Sequence, residues 1–221
     1  MAVDRQPRSA PSELPMPPVD YHDNVFINCP FDSKYQPVFE ALVFAVHDAG
    51  FVARSALEIN DATQNRYDKI LRIISECRYG VHDISRTEPD STTLLPRFNM
   101  PLELGLFLGC KRFGNRTQRT KSCLIMDREP YRYQRFISDL AGQDIYSHEN
   151  NPEKAIGLVR SWLRTESKRS GIPGREAMSV RYRRFRGELP RICAVLEIQV
   201  EELTFADYFE AVVEWLNKGG A

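Results

Sequence analysis

No stretch of this chain approaches the run of roughly 18 apolar residues that a membrane-spanning helix needs. No secretory apolar segment follows Met1 either. Net charge is missing as well: 30 basic side chains offset 30 acidic ones. The overall field therefore draws the protein toward neither a nucleic acid nor an anionic membrane, and neither is an expected partner. Cysteine pairing is absent. The five cysteines (Cys29, Cys77, Cys110, Cys123, Cys193) are odd in number and never spaced C-x-x-C, a pattern that suggests neither a disulfide framework nor a zinc cage. Histidines His22, His47, His82 and His148 are equally scattered, so no metal site is expected. Reduced cytosol is the expected compartment. Neither a G-x-G-x-x-G fingerprint nor a Walker lysine loop occurs, which leaves a dinucleotide redox fold and a P-loop NTPase without support.

What is present is ample apolar material, 42% of 221 residues, enough for a real core. Residues 1–20 carry Pro7, Pro11, Pro15, Pro17 and Pro18 among polar residues. Such a composition cannot bury enough surface to offset ordering, so a disordered leader is expected there. From Asn24 the pattern alternates. Val25-Phe26-Ile27 reads as a buried strand. Pro37 suits a helix's first turn, and Val38, Ala41, Leu42, Ala45, Val46 and Ala49 repeat at helical spacing until Gly50. Further strands are expected at Phe51–Ala53, Tyr79–Ile84, Ser122–Met126 and Asp144–Tyr146. Further helices are expected around Tyr67–Ile74, Met100–Phe113, Tyr133–Leu140 and Glu153–Arg164. Five strands alternating with five helices predict an α/β, doubly wound, flavodoxin-like parallel sheet over residues 21–170.

Gly171-Ile-Pro-Gly174 breaks the chain, and residues 171–221 read as a mainly helical extension packed on the sheet or on a partner. Within it, Arg181-Tyr-Arg-Arg-Phe-Arg186 mixes basic and aromatic residues in the manner of single-strand binders. With no net charge behind it, the run reads better as a solvated helix face with its aromatics turned inward. Trp162 and Trp215 read as core anchors. Ile192, Val195, Leu196, Ile198, Leu203, Phe205, Phe209, Val212 and Leu216 need cover that so short a segment lacks, which predicts a homo-oligomer.

In open parallel sheets, ligands bind beyond the carboxyl ends of the strands. Polar residues gather there. Strand one ends in Asn28-Cys-Pro30-Phe31-Asp32, strand two in Arg54 with Glu58 and Asp61 beyond it, strand three in Asp83-Ile-Ser85, and strand four in Asp127. Asn99-Met-Pro101-Leu-Glu103 opens the third crossover helix. Arg54, Glu58, Asp61 and Arg66 could grip phosphate and ribose hydroxyls, an arginine forking onto the phosphate, or form surface ion pairs. Asp83 could bond ribose hydroxyls or cap a turn with Ser85. Asn28 could contact a ligand or merely end its strand. Glu103 in a first helical turn would be favoured as the anion by the helix dipole. With Pro101 as first helical residue, Glu103 would stand third, where a glutamate commonly caps.

Three of these pieces together, Phe26-Ile-Asn-Cys-Pro-Phe31, His82-Asp-Ile-Ser85 and Asn99-Met-Pro-Leu-Glu-Leu-Gly105, resemble the nucleoside 2-deoxyribosyltransferase family and the related TIR-type NAD glycohydrolases, over about residues 24–165. The resemblance implies that Glu103 is the carboxylate that attacks or stabilises C1′ of the ribosyl group. It further implies that Asp83 and Asn99 orient ribose, that Asn28, Pro30, Phe31, Glu58, Asp61, Ser85 and Pro101 border the substrate, and that Arg54 meets phosphate. The transferase's Asp-x-Gly-x-x-x-Glu run is absent, with Arg97-Phe98 in its first part, and Cys77-Arg78 stand where an acidic residue precedes strand three. The resemblance therefore points away from deoxyribosyl transfer as such, toward an N-glycosidase acting on NAD+ or a related nucleotide or nucleoside, with water or a second base as acceptor. NAD+ would be substrate and no cofactor is needed. Microbial antiviral defence and a regulatory protein partner are further implications. A catalytically silent nucleotide sensor and a TIR-like protein-interaction module are the alternatives.

Overall fold

A computed structural model of the chain describes residues 21–58, 61–89 and 94–219. The expected leader over residues 1–20 lies outside the described residues. Five strands, β1 (Asn24–Asn28), β2 (Val52–Ser55), β3 (Tyr79–Asp83), β4 (Ser122–Asp127) and β5 (Ile145–Ser147), form one all-parallel sheet in the order β2-β1-β3-β4-β5. This is the doubly wound architecture expected from the alternating pattern. Among the described residues six α-helices accompany it: α1 (Gln36–Asp48), α2 (Arg66–Ser75), α3 (Asn99–Phe113), α4 (Pro152–Ser167), α5 (Arg175–Val195) and α6 (Phe205–Asn217).

Every residue of β1 and β3 is buried, because helices cover both faces of a parallel sheet and leave no side for water. Val25 and Ile27 join α1 and α4 on one face. Phe26 points the other way, to Ile70, Ile73 and Ile74 of α2 and Phe107 of α3. Local chemistry sets the helix ends. Asn65 caps α2 by accepting from the Tyr67 N–H at 2.8 Å, and Asn151 caps α4 by accepting from Glu153 and Lys154. Gly50, at φ +80°, turns the chain out of α1 into β2.

The predicted helix over Tyr133–Leu140 is instead two short 3-10 turns, Arg132–Arg135 and Ser138–Leu140. Tyr131 is held at φ +58°, and Arg132 is drawn inward to Asp127 and to the Ile84 carbonyl. With its start pinned, the segment takes tighter turns that bring Tyr133, Phe136, Ile137 and Leu140 onto Ile84, Leu104 and Ile125.

Helices α5 and α6 form a further layer, α5 packed on α1 and α4 and α6 on α1. The basic-aromatic run lies inside α5. Tyr182 and Phe185 are buried against Phe44, while Arg181 pairs with Asp48, Arg183 with Glu153, Arg184 with Glu188 and Arg186 with Glu40. Trp215 is buried with its Nε1–H donated to Glu188. Trp162 is half-buried, edge-on to Tyr79. Much of the cover that the sequence assigned to a partner comes from the chain itself. Phe205 and Val212 are buried, and Ile192, Leu203, Phe209 and Leu216 pack against the same core. Val195 and Leu196, at 80% and 55% exposure, remain open. Among the described residues no helix is long and apolar enough to cross a membrane.

Candidate active site

After β1 the chain turns to α1 on one face of the sheet, and after β3 it turns to α3 on the other. Since β1 and β3 are neighbours, a crevice opens at their carboxyl ends, the usual ligand position in open α/β sheets. A cleft of about 550 Å³ lies there, within the size range of small-molecule sites. Asn28, Pro30, Phe31, Asn99 and Glu103 line it, with Cys29, Asp32, Lys34, Arg66, Arg86, Glu88 and Arg97.

Glu103 is buried in the cleft wall. Helix α3 begins at Asn99 with Phe98 as its cap, so Pro101 is the third helical residue and Glu103 the fifth. Both expectations tied to a first-turn position are therefore corrected. Glu103 is no capping residue, and the helix N-terminus does not hold it ionised. Burial pushes its carboxyl from 4.5 up to about 7, against a smaller pull downward from Arg66. Among the described residues no hydrogen bond reaches its carboxylate.

Asn28 fixes that geometry from below. Its Nδ2 donates to the Met100 carbonyl at 2.9 Å and lies 3.1 Å from His82 Nδ1. One side chain thus ties β1 to β3 and to the first turn of α3. With Nδ1 accepting, the His82 proton sits on Nε2. Burial, helped by the nearby Lys121 charge, lowers the ring to about 3 and keeps it neutral.

Asp83 and Ser85 stand at the expected strand end but do not line the cleft. Both are buried beneath it, on the α1 side. His148 Nε2 lies 2.8 Å from Asp83 Oδ2 and 3.0 Å from Ser85 Oγ. The Asn150 N–H donates to His148 Nδ1, so the ring proton sits on Nε2, facing both oxygens. Cys29 lines the cleft. Its thiol is pushed well above 9 by burial and then by the fields of Asp83, Glu103 and Asp32.

Arg54, Glu58, Asp61 and Pro101 are absent from the cleft lining. Arg54 stands opposite Phe26 in register, so its side chain falls on the α2 face. There it forks onto Glu58 and reaches Glu76 at 2.9 Å. Asp61 accepts from Thr63 and Gln64 in the turn before α2. Pro101 is half-buried in the first turn of α3.

Sequence reasoning missed several charged groups. Asp32 and Arg86 form a two-pronged pair, 2.9 and 2.5 Å, at the cleft wall. Arg132, almost fully buried, gathers Asp127, Thr87, Glu88 and the Ile84 carbonyl. Lys34 and Arg97 put positive charge on the wall beside Arg66, which the sequence already offers as a contact to phosphate or ribose. The available signal was the density of charge just past each strand, but sequence alone does not say which charges meet. Among the described residues no three His, Cys, Asp or Glu side chains are grouped to hold a metal ion.

Fold and site together define a flavodoxin-like α/β protein with a polar cleft at its topological switch point and one buried glutamate in the wall. No protein-family model, no curated protein and no solved structure matches the chain.

Proposed function

We propose that the protein is an N-glycosidase that cleaves the ribose–base bond of NAD+ or a related nucleotide, with Glu103 as the catalytic carboxylate. The observation that carries the reading is the state of Glu103. It is a desolvated carboxyl raised to about 7, in a cleft whose other two acids already have partners. Asp32 is held by Arg86, and Glu88 by Arg128 and Arg132. A poorly solvated carboxylate gains most when positive charge develops beside it, as it does at C1′ when an N-glycosidic bond breaks.

A single free carboxylate also suits a pyridinium leaving group. As the C1′–N bond breaks, its electron pair neutralises the ring nitrogen, so no acid has to protonate the base. Water then forms the new C1′–O bond and releases a proton to solvent. Asn99 on the same wall is suited to orient a ribose hydroxyl. Incubation of the protein with NAD+ and detection of free nicotinamide tests the reading. NAD+ that binds and stays intact would favour the silent-sensor alternative. By the sequence resemblance, the activity would serve a microbial defence system in the cytoplasm.

A further inference from the structure

The charges around the cleft do not cancel locally. Of its acids, Asp32 is taken by Arg86 and Glu88 by Arg128 and Arg132, which leaves Glu103. Of its cations, Arg86 is spent on Asp32, and Arg97 is already engaged in an interaction of its own. Arg66 and Lys34 remain. Among the described residues neither side chain has a carboxylate at salt-bridge distance, yet both line the cleft. Arg66 lies close enough to Glu103 for its field to bear on that carboxyl. Of the two arginines that the sequence offers to phosphate, Arg54 is held by Glu58 and Glu76 on the α2 face.

We propose that Arg66 with Lys34 forms a phosphate subsite, so that the cleft takes a ribonucleotide or dinucleotide in preference to a free nucleoside. A guanidinium offers two parallel N–H donors to a phosphate, and an ammonium adds a point charge beside it. A concave wall with low-dielectric sides concentrates that positive field. Anchoring the phosphate at Arg66 sets the attached ribose between the anchor and Glu103, where C1′ must lie. The inference deepens the glycosidase reading and rests on it for the placement of the ribose. The phosphate preference itself needs no turnover.

The test is isothermal titration of wild type, Arg66→Gln and Lys34→Gln with AMP, adenosine and NAD+, alongside hydrolysis of nicotinamide mononucleotide and nicotinamide riboside. Arg66 is exposed and bonded to nothing among the described residues, so its variant should fold as the wild type does. AMP should bind wild type at least about tenfold more tightly than adenosine, and Arg66→Gln should remove about 10- to 100-fold of AMP affinity while leaving adenosine unchanged. Lys34→Gln should cost AMP less than Arg66→Gln does. Equal affinity of wild type for AMP and adenosine would overturn the subsite. So would an AMP-to-adenosine ratio that Arg66→Gln leaves unaltered, or the failure of AMP and NAD+ to bind at millimolar concentration. Phosphate-dependent binding without hydrolysis would keep the subsite and remove the glycosidase. Hydrolysis of the riboside as efficient as that of the mononucleotide would do the reverse.

Discussion

At alkaline pH the Glu103→Gln protein should be more stable than the wild type. Glu103 ionises near 4.5 in an unfolded chain and near 7 in the fold. Below 4.5 both states carry the neutral acid and the site costs nothing. Between 4.5 and 7 the unfolded chain loses its proton while the native protein keeps it, so native stability falls as pH rises. Above 7 both are ionised and the loss levels off. A shift of this size corresponds to about 3 kcal/mol at the plateau. Glutamine has nearly the same shape and no charge, so it should escape that loss. For a protein of this length the gain at pH 8 should raise Tm by roughly 6–12 °C, with little difference at pH 4. Thermal unfolding followed by circular dichroism across that pH range measures it. Equal Tm values at pH 8, or a variant less stable than wild type there, would refute the desolvated-carboxylate account. A glutamate retained at such a cost to stability is what a functional role predicts.

Other perturbations separate the scaffold from the site. The ionised form of Glu103 is the one that stabilises a cation, so hydrolysis should rise with pH and level off above about 7; a rate that falls through that range would contradict this role. Arg54→Ala should cost about 1–2 kcal/mol in urea unfolding, since it strands two half-buried glutamates, yet leave nucleotide affinity unchanged. A tenfold loss of affinity would return Arg54 to the site. Asn28→Ala removes the bonds to Met100 and His82 and should destabilise by about 2 kcal/mol, measured by the same unfolding; a change below 0.5 kcal/mol, on the order of a surface substitution, would deny it the role of tie.

The sheet was legible because short apolar runs such as Val25-Phe26-Ile27, bounded by turn residues and alternating with helical patterns, suit strands covered on both faces, with Tyr79–Ile84 a weaker signal interrupted by Gly80 and His82. The place of Glu103 at the carboxyl edge followed from the same pattern. Its exact helical position did not. Asn99 and Pro101 are both acceptable near a helix start, and the two-residue difference decides whether a glutamate caps or stands in the wall. The sequence leaves Arg54 open between a phosphate and an ion pair, because its meeting with Glu76 on the α2 face is a long-range fact. Tyr133–Leu140 has helical spacing, but Arg132's attachment to Asp127 and Ile84 overrides it. His148 gave no signal at all, because its partners Asp83 and Ser85 lie more than sixty residues away. The C-terminal apolar residues pointed to a partner only because the α1 and α4 surfaces that cover them are not readable from their own segment.

Release of free base from NAD+ measures directly whether Glu103 breaks an N-glycosidic bond. Purified wild type and Glu103→Gln should be incubated with NAD+ under identical conditions at pH 8, and nicotinamide release followed by proton NMR. Wild type should release nicotinamide, and the variant should do so about 100-fold or more slowly, with NAD+ affinity preserved. Equal rates from two folded proteins, or intact NAD+ after prolonged incubation with wild type, would contradict it.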